Sequence, residues 1–162
     1  MNNLTALASL DDCAAELVRI NHVIIAFGPA HDVVPFLTNY AIIKCCGTIE
    51  FCFKLIISDF HNALPPQAKS YIENTFTNSS MNPNKENICK SLKQFDPAWN
   101  IQFKALLDAD PDSAQLESSL KSLNAARNAF AHGSNPGVSF NSAADYFRDA
   151  RKIIVFLDTV VV

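Results

Sequence analysis

The segment Arg127-Asn128-Ala129-Phe130-Ala131-His132-Gly133 couples two side chains whose chemistry is complementary. The arginine keeps its charge at any physiological pH and presents a fork of donors matched to a carboxylate or a phosphate. The histidine belongs to the side-chain type that exchanges its proton near neutrality. The arginine also stands where a helix should be apolar. Turning about 100° per residue from Leu116, the side chains of Leu120, Leu123 and Phe130 fall within about 40°, and Arg127 falls at about 20°. A guanidinium in such a seam needs an anionic partner, because an unpaired charge is costly to bury.

Spacing limits how these groups can act together. Asn128 and His132 are four apart and share a helix face, as do Asn124 and Asn128. Arg127 and His132 are five apart, about 140° around an ideal helix. They converge on one ligand if the helix loosens at its end, where Gly133 is placed to do so. They also converge if the segments of two paired subunits face each other.

The elements that must carry this segment read as helices almost throughout. Only four glycines are present, and no long window alternates apolar with polar residues. A first helix is expected from about Leu10 to Phe27, closed by Gly28-Pro29. A second, longer one is expected from about Val33 to Ala63, closed by Pro65-Pro66. Its stripe Ile42, Cys46, Ile49, Phe53, Ile56 and Phe60 has helical spacing, and Phe51 and Leu55 make other faces apolar as well. Such a helix is either the centre of a bundle or half of a dimer interface.

Gln67 to Phe76 suggests a short helix before the polar loop Thr77 to Asn84. Lys85–Phe95 and Ala98–Leu107 read as short helices divided by Asp96-Pro97. The motif helix starts near Pro111-Asp112-Ser113, with Asp112 or Ser113 available as cap. Gly133-Ser134-Asn135-Pro136-Gly137 ends it, and a last helix is expected from about Ser142 to Val160, capped by Asn141 or Ser142. The expectation is one all-α domain over residues 1–162, an up-and-down bundle of about five to six helices.

Composition narrows the function classes. Apolar residues make up 49% and charged ones 18%, which excludes a disordered chain. The net charge of −3 gives no global attraction for a polyanion. Of the thirteen lysines and arginines, nine follow Asn84, so any polyanion site should be local and in the second half. The five cysteines form no C-x-x-C pair, and Cys45, Cys46 and Cys52 fall inside an apolar helical pattern, where cysteine acts as a small hydrophobe.

An odd cysteine count without a signal peptide points to a reducing cytoplasm. No apolar run approaches the roughly 18 residues of a membrane span, so no membrane association is expected. His22, His31 and His61 lie apart without metal-ligand spacing and read as structural or surface residues, and Trp99 and Phe103 as core aromatics. Hydrolase-triad, P-loop, dinucleotide-binding and zinc patterns are absent, and neither a metal nor a cofactor is expected.

The motif R-N-x-F-A-H-G closing a helix resembles the R-x4-H motif of HEPN domains. These are small all-α domains of prokaryotic toxin–antitoxin, antiviral and RNA-processing systems. The long early helix with Gly47-Thr48-Ile49-Glu50-Phe51 and the amphipathic last helix resemble the stand-alone proteins of the RiboL-PSP branch. The resemblance implies a metal-independent endoribonuclease with its motifs paired across a homodimer; with no metal to generate hydroxide, the adjacent 2′-hydroxyl is the nearest nucleophile, which would leave 2′,3′-cyclic phosphate ends. Carried over by position, Arg127 and His132 would be catalytic, Asn128 would position them, and Glu50 would be an acidic site residue. RNA would be the substrate, and an antitoxin or regulatory protein the partner of such a toxin.

The residue types suit that chemistry. Imidazole can transfer the proton of the 2′-hydroxyl, and a guanidinium can hold the phosphate and stabilise charge in the transition state. Plainer readings remain beside it. Arg127 can form a salt bridge to Glu50, at the rim of the second helix's stripe, or to another acid at the core's edge, and His132 can be a helix C-cap favoured by the macrodipole. The alternatives are accordingly a non-catalytic HEPN module that binds RNA or protein, and a structural dimerisation domain.

Overall fold

The computed structural model describes residues 1–162 and is all helical. Seven α-helices follow one another: α1 (Leu4–Phe27), α2 (Val34–Phe60), α3 (Pro66–Ile72), α4 (Lys85–Phe95), α5 (Pro97–Ala109), α6 (Ser113–Ala131) and α7 (Phe140–Val160). The count exceeds the expected five to six. The short helix expected over Gln67 to Phe76 is the weakest of them: α3 has seven residues, fully buries none of its side chains and runs into a π-helical turn at Glu73–Thr77.

Local chemistry sets the ends, and several differ from expectation. α1 begins six residues before Leu10, because Asn3 Oδ1 accepts the N–H of Ala6 at 2.9 Å and Ala6 already belongs to the buried stripe. That stripe continues through Leu10, Cys13, Leu17, Ile20 and Ile24. Gly28 stops the helix with φ of 89°, a conformation that suits glycine. α2 ends at Phe60, short of Ala63, and Pro66 serves instead as the first residue of α3.

Asp112 stands before α6, yet neither its side chain nor that of Ser113 caps the helix, and its carboxylate faces Lys152 at 3.6 Å. Ser139, not Asn141 or Ser142, caps α7, its Oγ accepting the N–H of Ser142 at 3.1 Å.

α2 is the centre of the bundle, packed against α1, α6 and α7. Its buried side includes Ala41, Ile42, Cys45, Cys46, Ile49, Cys52, Phe53, Ile56 and Ile57. Each fully buried Ile or Phe in that row contributes roughly 1.5–3 kcal/mol, and truncating Phe53 to Ala would cost about 3–5 kcal/mol. The cysteines serve as small apolar spacers: all five are free, and all but Cys89 are buried. Burial pushes the Cys52 thiol up to about 12, so it stays protonated and inert.

Trp99 and Phe103 are core aromatics, as expected. His22 and His31 lie at the surface. His61 joins an aromatic cluster, stacked on Phe95 with ring centroids 4.9 Å apart. One face of α2 stays uncovered. Phe36, Tyr40, Ile43 and Phe51 are all exposed, and with Gly47 they recur every three or four residues along one stripe. No helix is long and apolar enough to cross a membrane.

Candidate active site

Three polar elements meet where α6 crosses α2. The first is the inner face of α6, with Asn124, Arg127 and Asn128. The second is the acid–base pair Glu50 and Lys54 on α2. The third is the loop at residues 79–84, which lies over both helices and is fastened to each by side chains. Lys54 Nζ donates to the carbonyl of Ser79, and the N–H of Met81 reaches Glu50 Oε1 at 3.4 Å. From α6, Asn124 Nδ2 donates to the carbonyl of Pro83 at 3.4 Å. Asn84 Oδ1 then caps α4 by accepting the N–H of Asn87 at 2.7 Å.

Arg127 reaches into this junction and is half-buried. Its Nη1 donates to Asn82 Oδ1 at 3.3 Å and to Asn128 Oδ1 at 3.2 Å. Asn82 Nδ2 closes the triangle by donating to Asn128 Oδ1 at 3.3 Å. The guanidinium takes part in none of the chain's ion pairs. Amide oxygens fix its direction but leave its charge uncompensated.

The salt bridge to Glu50 that the sequence suggested does not form. Glu50 Oε1 is taken by Lys54 Nζ at 2.6 Å, an i,i+4 pair whose lysine is only 6% exposed. Position on the helix explains the choice, since a residue one turn away on α2 reaches the carboxylate more directly than one on another helix. Glu50 and Arg127 nonetheless hold adjacent residues of the loop, Met81 and Asn82. Burial pushes the Cys46 thiol up to about 12, Arg127 pulls it down and Glu50 pushes it up again, so both charges act on one sulfur.

His132 stands apart from this junction. α6 stays regular to Ala131, and the N–H of His132 still bonds to the carbonyl of Asn128 at 3.0 Å. The helix opens only after His132. There Gly133 (φ 76°) donates to Phe130, and Ser134 donates to Ala129, the paired bonds of a Schellman ending. The glycine therefore does not loosen the turn that separates Arg127 from His132. The imidazole is exposed and makes no hydrogen bond within the chain. Phe130, expected in the apolar stripe with Leu116, Leu120 and Leu123, is 42% exposed beside it.

Of the four residues singled out in the sequence, Arg127 and Asn128 touch, Glu50 lies close by with another partner, and His132 faces solvent. Asn82 and Lys54 were not anticipated. Lys54 carried a signal in its i,i+4 spacing from Glu50. Asn82 is 45 residues from Arg127, and only the packed loop joins them. No group of three or more His, Cys, Asp or Glu side chains is arranged to hold a metal ion.

Comparison with curated proteins and with solved structures finds no match. The family model described as RiboL-PSP-HEPN matches residues 9–162, nearly the whole chain and all seven helices described above apart from the first five residues of α1. The match takes in the bundle and its long central helix, and the chain is a member of the RiboL-PSP-HEPN family of HEPN domains.

Proposed function

We propose that the protein is a metal-independent endoribonuclease of HEPN type whose working site is shared by two subunits. One observation carries the reading. Arg127 is a half-buried guanidinium held in place by neutral oxygens with no carboxylate against it, which is how a phosphate-binding arginine should stand before substrate arrives. The nearest acid on α2 is already neutralised by Lys54 and does not compete.

In this reading Arg127 binds the scissile phosphate, and Asn82 and Asn128 keep the fork aimed at it. The adjacent 2′-hydroxyl attacks phosphorus, a histidine takes its proton, and the 5′ oxygen leaves with a proton, giving a 2′,3′-cyclic phosphate and a 5′-hydroxyl. His132 is the proton-transfer group. Within one chain it does not meet Arg127, which supports assembly across a homodimer.

The uncovered stripe of α2 is the surface we assign to that pairing. On the helix wheel Glu50 lies about 20° from Ile43, so the stripe borders the Arg127 junction. A groove of about 510 Å³ over Gly47, lined by Tyr40, Ile43 and Phe51, gives a partner side chain room to enter. A binding-only HEPN module is the second reading, favoured by the same separation of His132 from Arg127. The toxin or defence role, with an antitoxin as partner and the cytoplasm as its place, follows the family's character rather than a feature of this site.

The deciding experiment is cleavage of a mixed RNA in excess chelator, with the product ends identified. Cyclic phosphate ends made by wild type but not by folded His132→Ala protein are expected. Cutting of a strand with deoxyribose at the scissile position, activity lost with chelator, or unchanged cutting by His132→Ala would each overturn the mechanism. A monomer by light scattering at micromolar concentration would remove the shared site.

A further inference from the structure

Beside the Arg127 junction runs a groove of about 610 Å³ that the catalytic scheme leaves unused. Its walls are α6 and the chain entering α4, and its size falls within the roughly 300–1,000 Å³ of small-molecule sites. Asn82 and Asn128 form its boundary with Arg127, Asn84, Lys121, Asn124 and Ala125 line the part next to it, and Lys85 paired with Glu117, together with Glu86 and Ser118, completes the lining. Its lining has no aromatic ring, so a planar ligand would be held by its edge and not by stacking.

Asn124 is the informative residue. It is only 7% exposed, and its Oδ1 is buried without any hydrogen-bond partner. A simple amide flip does not cure this. Asn124 Nδ2 already donates to the carbonyls of Leu120 at 2.9 Å and Pro83 at 3.4 Å, and turning the amide round would set its oxygen against two carbonyl oxygens. The orphan is therefore a fixed acceptor, of the kind that normally needs a reason. On the opposite wall Asn84 uses its oxygen to cap α4, and its Nδ2 has no partner. Lys121, exposed and in no ion pair, stands at the groove's side.

An acceptor that no donor of the chain satisfies selects a ligand edge that donates. Next to a phosphate-binding arginine, the group that arrives at this distance along an RNA strand is a neighbouring base. Resting on the RNA reading above, we infer that this groove is a base-binding subsite for a nucleotide flanking the scissile phosphate. The bases it takes are those with an exocyclic amine, adenine, cytosine or guanine, donated to Asn124 Oδ1. Uracil has no amine, and its single N–H lies between two carbonyl oxygens, so it offers no free donor edge to Asn124 Oδ1. Lys121 would meet the backbone of that nucleotide.

The test is equilibrium binding of short 2′-O-methyl homopolymers of A, C and U, which cannot be cleaved through a 2′-hydroxyl, to the full chain. Wild type should bind the A and C strands about tenfold more tightly than U, the scale of one well-made hydrogen bond. Asn124→Leu should bring A and C down to the level of U. Because that change also cuts the tie to Pro83 and can unfold the loop, Ala125→Trp is the second variant. It fills the groove from an exposed position, leaves the bonds of Asn124 in place, and should erase the preference equally. Equal binding of the three strands by wild type, or a preference that survives Ala125→Trp, overturns the subsite and leaves the RNA reading standing. Failure of wild type to bind any strand overturns both.

Discussion

Lys54 and Arg127 are two long cations turned inward toward the same loop, and their environments differ in one decisive way. Lys54 meets a carboxylate and a backbone carbonyl, so its charge is neutralised where it is buried. Arg127 meets two amide oxygens, which orient it without neutralising it. The first arrangement is complete and fastens loop to helix. The second is one anion short, and that missing anion is what a phosphate would supply. A buried charge in a fold is thus read by what opposes it, not by its depth.

The largest expected effect breaks this comparison on the side of activity. Arg127→Ala should lower RNA cleavage by roughly 10²–10³-fold, the usual scale for losing a group that stabilises transition-state charge. Its stability should fall by only about 1 kcal/mol, because no carboxylate is stranded. His132→Ala should also remove at least about 10²-fold of the rate, with a stability cost of about 1 kcal/mol or less at a helix end. Cleavage assays paired with denaturant unfolding test both. If Arg127→Ala unfolds as readily as a broken ion pair, its role is structural and the contrast with Lys54 is gone.

Lys54→Met gives the converse result. It leaves Glu50 partly buried without its cation and frees the carbonyl of Ser79, which should cost about 3 kcal/mol. The loop would then hold Asn82 less firmly, so cleavage per folded molecule should fall less than in Arg127→Ala. Asn82→Ala is smaller again, at about 1 kcal/mol and about tenfold in rate, since it removes one of two oxygens that aim the guanidinium. A rate loss in Asn82→Ala as deep as that in Arg127→Ala would mean that the loop residue touches substrate itself.

Much of this architecture was legible before the helices were seen together. The stripes of α2 and α7, the break at Asp96-Pro97 and the stop at Gly133 are local signals, and local signals fix helices well. The start of α1 was missed because Ala6 is too small to mark an apolar stripe, although it is fully buried. At the site, Arg127 announced itself by its place among leucines. Its partners could not be read, because Asn82 comes from a loop whose position depends on ties to both α2 and α6. Glu50 was legible as a rim acid, but of the cations open to it Lys54 and not Arg127 takes it, since attraction between opposite charges is not specific and chain geometry decides it.

The same contrast separates two histidines, and here the expected effect is smallest. His132 is exposed at a helix end, whereas His61 is enclosed by Phe60, Phe95 and Trp99 with a buried Nε2 that has no partner. Burial depresses the pKa of His61 below its ordinary 6.5, because the aromatic surroundings disfavour the imidazolium. The folded protein therefore binds this proton less readily than the unfolded chain does. Its contribution to stability is full above about pH 6.5 and declines as the pH falls through that value, where the unfolded chain is protonated first. His61→Phe, which keeps a ring in the stack and removes the titrating group, should lose less stability than wild type between pH 7 and about pH 5. Thermal unfolding of the two proteins across that range measures the difference, and an acid sensitivity in His61→Phe equal to that of wild type would show that the aromatic enclosure does not discriminate against the charge.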